Sequence, residues 1–223
     1  MARPSQETEN GQRLTSVTSL FPAGNPGESV LVYGPTMSGK RTLGFELLAA
    51  TEASDMRVYV TTNERASKGR AALATATSPA VSETTTVIDC LAAEDSEGTI
   101  AVESPGDLLG ISAAVSTVYD GARRRDRVGS RLLIDDVSTL LLHAGIDAVT
   151  RFLHPVIGKV EDSGGLLVAT LGTDGLDPAT RRAILGLFES RIEVRNHGEH
   201  GPACRLDSED TWYQFDPLLE DPQ

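Results

Sequence analysis

The sequence predicts an α/β fold: a P-loop core with a mostly parallel central sheet flanked by helices and a C-terminal antiparallel hairpin. Three observations predict it. Residues 29–48, SVLVYGPTMSGKRTLGFELL, pass from an apolar run through a glycine-bounded turn into a helical pattern. Residues 131–136, RLLIDD, form a second apolar run that ends in two carboxylates. Around them, short apolar and β-branched runs alternate with helical periods, the pattern of parallel strands joined by crossover helices.

The first stretch organises the rest. Val30, Leu31, Val32 and Tyr33 read as a buried strand, Gly34 to Gly39 as a tight loop, and Lys40 as the start of a helix carrying Leu43, Phe45, Leu47 and Leu48. A helix begins with unpaired N–H groups and the positive end of its dipole, so a loop wrapped in front of it suits phosphate oxygens. Gly34, Pro35, Thr36, Met37, Ser38, Gly39 and Lys40 complete GxxxxGK in that setting, with Lys40 as the point charge for the outer phosphates. The next position departs from the pattern. A Ser or Thr hydroxyl there binds the magnesium ion that bridges the phosphates, but this chain has Arg41. A guanidinium is always charged and has no lone pair for a cation. Thr42 offers a hydroxyl, but one residue on, a rotation of roughly 100 degrees around the helix.

With 223 residues the chain suits one α/β domain over 13–216, with a disordered tail at 1–12 and another tail at 217–223. The formal net charge is −12, and only Lys40, Lys68 and Lys159 are lysines among 20 basic residues. Dense carboxylates with scarce lysine read as adaptation to high salt; the alternative is an ordinary acidic protein from a GC-rich genome. Either way, an acidic surface argues against a broad nucleic-acid footprint. Cys90 and Cys204 make neither a metal site nor a disulfide framework and read as buried free thiols of a reducing cytoplasm. No apolar run approaches the ~20 residues that span a bilayer, so a cytoplasmic, membrane-free protein is expected.

Residues 14–21 read as a short helix or turn, and Pro22, Gly24, Pro26 and Gly27 as a loop into the first strand. RVYVTT at 57–62 is a second strand, and in an open parallel sheet Asn63 and Glu64 then stand beside the phosphate loop. Glu64 is the candidate catalytic residue, a carboxylate able to orient a water; the other reading is a solvated loop glutamate. Residues 66–80 read as a weak helix and a loop, 85–89 as a strand, and 91–103 as an acidic loop. Ser104, Pro105 and Asp107 read as N-cap, N1 proline and acidic first turn of a helix whose stripe runs from Leu108 to Tyr119. The basic cluster ARRRDR at 122–127 reads as a solvated helix end, the alternative being a contact with phosphates or an acidic partner. Leu132, Leu133 and Ile134 then form a buried strand ending at Asp135 and Asp136. Apolar surroundings make such a pair costly unless it meets water, a metal or a partner, so Asp135 is the candidate magnesium (Mg2+) ligand. A helix over 147–160, a strand over 165–170, a helix over 178–188, a strand over 191–195 and a closing hairpin at 204–206 and 211–215 complete the chain. Thr170 and Thr173 are candidates to touch a terminal phosphate. His154 reads as structural, and His197 and His200, three apart, lack the further ligands that zinc needs.

In this order the segments GPTMSGKRTLGFELL, VYVTTNE, SPGDLLGISAAVSTVY, RLLIDDVSTLLL, VTRFLHPVIGKV and GGLLVATL resemble the RecA-like ATPases of the KaiC group, especially archaeal and haloarchaeal members. The resemblance covers about 14–215. It implies a RecA-type core, ATP at the phosphate loop and frequent hexameric or filament-like assembly with nucleotide between subunits. By position, Lys40 matches the Walker A lysine, Asp135 the Walker B aspartate, and Asn63 and Glu64 the paired glutamates after the second strand. Arg41 replaces the magnesium hydroxyl, Asn63 replaces the first glutamate, and Asp136 stands where serine is common. The expectation is an ATP-binding regulatory or signalling protein with weak or absent hydrolysis. A homo-oligomer, a related subunit or a signalling protein is the expected partner. The alternatives are a Mg-dependent ATPase of the same group and a RecA-type DNA-binding accessory protein.

Overall fold

The apolar runs of the sequence become neighbours in one sheet. The computed structural model describes residues 12–14, 27–50, 56–92, 94–123, 130–196 and 201–216. Strands β1 (Gln12–Arg13), β2 (Glu28–Gly34), β3 (Met56–Thr61), β4 (Thr86–Asp89) and β5 (Thr99–Ala101) belong to the first half. Strands β6 (Ser130–Asp135), β7 (Leu166–Gly172), β8 (Ser190–Asn196), β9 (Pro202–Leu206) and β10 (Tyr213–Gln214) follow. Together they form a ten-stranded sheet in the order β1-β10-β9-β8-β2-β7-β6-β3-β4-β5. Every pairing from β8 to β5 is parallel, whereas β9 runs antiparallel to both β8 and β10. The expected C-terminal hairpin is β9 and β10, and β1 joins its edge in parallel.

Parallel strands buried on both faces need helices on both faces. Along β2, Leu31 and Tyr33 face one core while Val30 and Val32 face the other. Leu43, Phe45, Leu47 and Leu48 of α1 (Lys40–Ala49) and Leu73 of α2 (Ala66–Ala76) fill the second. The first is covered by α4 (Leu108–Arg123), α5 (Val137–Ala144), α6 (Ile146–Asp162) and α7 (Pro178–Leu185). α6 buries Val149, Phe152, Leu153, Val156, Ile157 and Val160, the face its period predicts. The short α3 (Pro79–Thr84) sits between α2 and β4. Both cysteines are free and buried, and burial pushes each thiol up to about 12.

The parallel arrangement puts the carboxyl ends of β2, β7, β6 and β3 on one sheet edge, where ligands of open α/β sheets bind. Register brings Gly34 level with Gly172, and Thr61 level with Asp135.

Three expectations need correction. The acidic loop at 91–103 contains β5, because Thr99 and Ile100 can pair along the exposed edge of β4. The segment before β4 is a helix instead of a loop, because Ser78 caps α3 by accepting the Val81 amide, with Pro79 at its first position. The same Ser-Pro pair at 104–105 does not start α4. That helix begins at Leu108, where Asp107 Oδ1 accepts the Gly110 amide at 2.8 Å, a contact Ser104 is too far upstream to make. A further helix, α5, capped by Asp136, stands between β6 and α6. The tails, most of 14–21, the arginine cluster at 123–127, the His197 and His200 pair and residues 217–223 fall wholly or largely outside the described residues.

Candidate functional site

The loop between β2 and α1 is built from the backbone. A Cβ on Gly34 would lie 2.1 Å from the Val194 carbonyl oxygen of β8, so only glycine allows β2 to turn there. Met37 and Gly39 take left-handed conformations, with φ of 59° and 84°. Gly39 is the N-cap of α1 and offers no side-chain cap, so the first-turn N–H groups are left for another acceptor. Ser38 is fully buried in the loop, and its hydroxyl finds no hydrogen-bond partner. Lys40 Nζ donates to the Pro35 carbonyl at 2.8 Å, which holds the ammonium against the loop.

The segment after β7 braces this loop from outside. Thr173 N donates to the Gly34 carbonyl at 2.9 Å, and both the amide and hydroxyl of Thr36 donate to Asp174 Oδ2. These bonds from Thr36 hold the Asp174 carboxyl below its ordinary pKa.

Beside the loop is a corner built from side chains. The Arg41 guanidinium pairs with Glu64 through Nη2 and lies with Nε 3.0 Å from Asp135 Oδ2. Nη2 also donates to Tyr59 Oη at 2.8 Å, and Tyr59 lies 3.4 Å from Asp135 Oδ2. The other oxygen of Asp135 accepts the Thr170 hydroxyl at 2.6 Å. Arg41 packs 5.0 Å from the Phe45 ring centroid, and Phe45 meets Tyr59 edge-on, so the cation sits among aromatic walls. Asp135 is 4% exposed, and an unpaired carboxylate at that depth would be strongly disfavoured. Arg41 neutralises it. Burial, and next the charge of Asp135, raise the pKa of the Tyr59 hydroxyl, which therefore remains a neutral donor.

Asp136 faces a different task. Its Oδ1 accepts the amide and hydroxyl of Ser138, at 2.8 and 2.9 Å, and so caps α5. Ser138 Oγ in turn accepts the Gly172 amide at 2.7 Å, and Thr62 Oγ1 accepts the Asp136 amide at 2.8 Å. These bonds tie together the ends of β3, β6 and β7. Burial and the neighbouring Asp135 raise the pKa of Asp136 above 3.8, against the pull of the Ser138 bonds.

Residues 27–194 match the model of a family of unknown function, DUF7504. The chain belongs to this family. No curated protein matches the sequence. Among solved structures, the chain is similar to a KaiC-like protein, PH0186, from the hyperthermophilic archaeon Pyrococcus horikoshii OT3. The TM-score is 0.60 at 16% identity, over 88% of this chain and 88% of that one. At that identity the likeness is one of fold, and the fold is RecA-like of the KaiC type. No helix among the described residues is long and apolar enough to cross a membrane.

The sequence-derived candidates fall into two groups. Gly34, Pro35, Thr36, Met37, Ser38, Gly39 and Lys40 form one continuous loop, and Arg41 links it to Asp135 and Glu64. Thr42 is buried within α1, and Asn63 is exposed beside Glu64. Polyphosphate chemistry fits the loop: an uncapped helix start, an adjacent ammonium and a buried hydroxyl without a partner. Magnesium does not fit the corner. A fixed cation already covers Asp135 and Glu64, and among the described residues no group of three or more His, Cys, Asp or Glu could hold a metal ion. Sequence reasoning missed Tyr59 and Asp174. A tyrosine inside a fully buried strand needs a partner for its hydroxyl, which was the available signal for the first. Asp174 lies in an ordinary Asp-Gly turn and gave none.

Proposed function

We propose that the protein binds ATP at the loop from Gly34 to Lys40 and acts as a regulatory or signalling module of the KaiC type, with weak or absent hydrolysis. The loop amides and Lys40 would hold the phosphates, and ATP supplies the polyanion they are arranged to receive. One observation carries the second half of the reading: Arg41 occupies both carboxylates that a hydrolysing site needs free. Asp135 in that arrangement cannot take up a metal's water shell, and Glu64 cannot orient a water without first releasing the guanidinium. A homo-oligomer, a related subunit or a signalling protein would read the bound state. An active Mg-dependent ATPase would have to break both ion pairs in each cycle.

The test is a calorimetric ATP titration of the full chain and of Lys40→Ala, with phosphate release followed in the same samples. The expected result is binding by the parent protein, none by the variant, and release no faster than the variant's. Tight binding by Lys40→Ala would remove the loop from the site, and release well above that control would make the protein an ATPase.

A further inference from the structure

The cation that a phosphate loop ordinarily borrows from solution is here part of the chain. We propose that this site takes a nucleoside polyphosphate as the metal-free anion, with the Arg41 guanidinium in place of the divalent cation. The proposal rests on the ATP-binding reading above and deepens it.

Arg41 follows Lys40 directly, in the position whose side chain ordinarily joins the metal to the loop. Its guanidinium reaches from the start of α1 to the carboxyl ends of β3 and β6, and meets Glu64 and Asp135 there. A divalent ion bridging phosphate to Asp135 would need the space that this cation occupies. Both oxygens of Asp135 are already engaged, Oδ1 by the Thr170 hydroxyl and Oδ2 by Arg41. The contacts of Arg41 with Tyr59, Glu64 and Asp135 run through Nε and Nη2, so the guanidinium is held at the corner by groups on two strands and the loop after one of them. Ser38, fully buried and unpartnered in the phosphate loop, gains an acceptor from the bound anion. Lys40 thus remains the charge that meets the phosphates, while Arg41 holds the place of the metal at the two carboxylates.

Magnesium should then compete with the protein for ATP. Chelation neutralises part of the polyphosphate charge and presents the loop with an ion that has no place in the corner.

The experiment titrates the full chain with ATP by calorimetry, in EDTA and then in excess magnesium at equal ionic strength. Binding should be tighter in EDTA by about tenfold, the scale of one charge-assisted contact. Arg41→Ser should reverse the order, losing affinity in EDTA and gaining dependence on magnesium, with folding checked by circular dichroism. Arg41→Lys, which keeps the charge without the fork, should retain the preference for EDTA in weakened form. Parent protein that binds ATP only with magnesium overturns the proposal while leaving the ATP-binding reading standing. Failure to bind in either medium overturns that reading and the proposal with it. If Arg41→Ser does not fold, the parent and Arg41→Lys titrations decide the matter alone.

Discussion

The two sides of Arg41 are built by different means. The loop before it is backbone geometry: a glycine with no room for a Cβ, two left-handed residues and an uncapped helix start. The corner after it is side-chain chemistry, with one guanidinium shared between Glu64, Asp135 and Tyr59. A backbone site fails as a unit when its conformation is blocked. A side-chain corner can be rewired by one residue while every strand stays in place, which is how, on the function proposed above, holding a polyanion parts from cleaving it.

The sharpest way to break the loop side is Gly34→Ala. Its Cβ would stand 2.1 Å from the Val194 carbonyl, a backbone atom of β8 that cannot swing aside. Either β8 shifts or the loop opens, at a cost of about 3 kcal/mol or more. Urea unfolding should show that loss, and a change under about 1 kcal/mol would mean that the loop adapts more easily than close packing allows. The corner should give less. Arg41→Ala leaves two carboxylates facing each other without a cation, and about 2 kcal/mol of destabilisation is expected because the site is not fully dry. Thr170→Val keeps the shape and removes only the donor to Asp135 Oδ1, for about 1 kcal/mol. If Thr170→Val costs as much as Arg41→Ala, the hydroxyl rather than the guanidinium is what holds Asp135.

The same division explains what was legible in the sequence. The long strands and the glycine loop could be read because their causes are local: apolar runs, glycine spacing, a lysine at a helix start. Arg41 was visible as a departure, but not its partners. They come from β3, the loop after it and β6, and the order that sets β6 two strands away from β2, with β3 beside it, is a tertiary fact. Local signals also misled where two were alike. Ser78-Pro79 starts a helix and Ser104-Pro105 does not, because at the second site Asp107 offers a cap three residues nearer the apolar stripe. In the sequence Asp136 shows only as half of a carboxylate pair, since a capping role depends on α5 starting immediately after it.

That carboxylate allows the finest comparison, between two neighbours of which only Asp135 is covered by a cation. The pKa of Asp136 is raised above 3.8 in the folded chain by burial and by Asp135. Between 3.8 and that raised value, the folded state binds more protons than the unfolded one, so stability falls as pH rises through the window. Above the window the penalty is complete. Asp136→Asn removes the charge, while the amide oxygen can still accept from Ser138 N and Oγ and so keep the cap on α5. The variant should match the parent in Tm below the window and melt a few degrees higher above it, a gain of under about 1 kcal/mol. A Tm difference that does not change with pH would assign the effect to packing. A variant that is less stable at neutral pH would mean that α5 needs the full negative charge at its N-terminus, and that the helix dipole outweighs both burial and repulsion from Asp135.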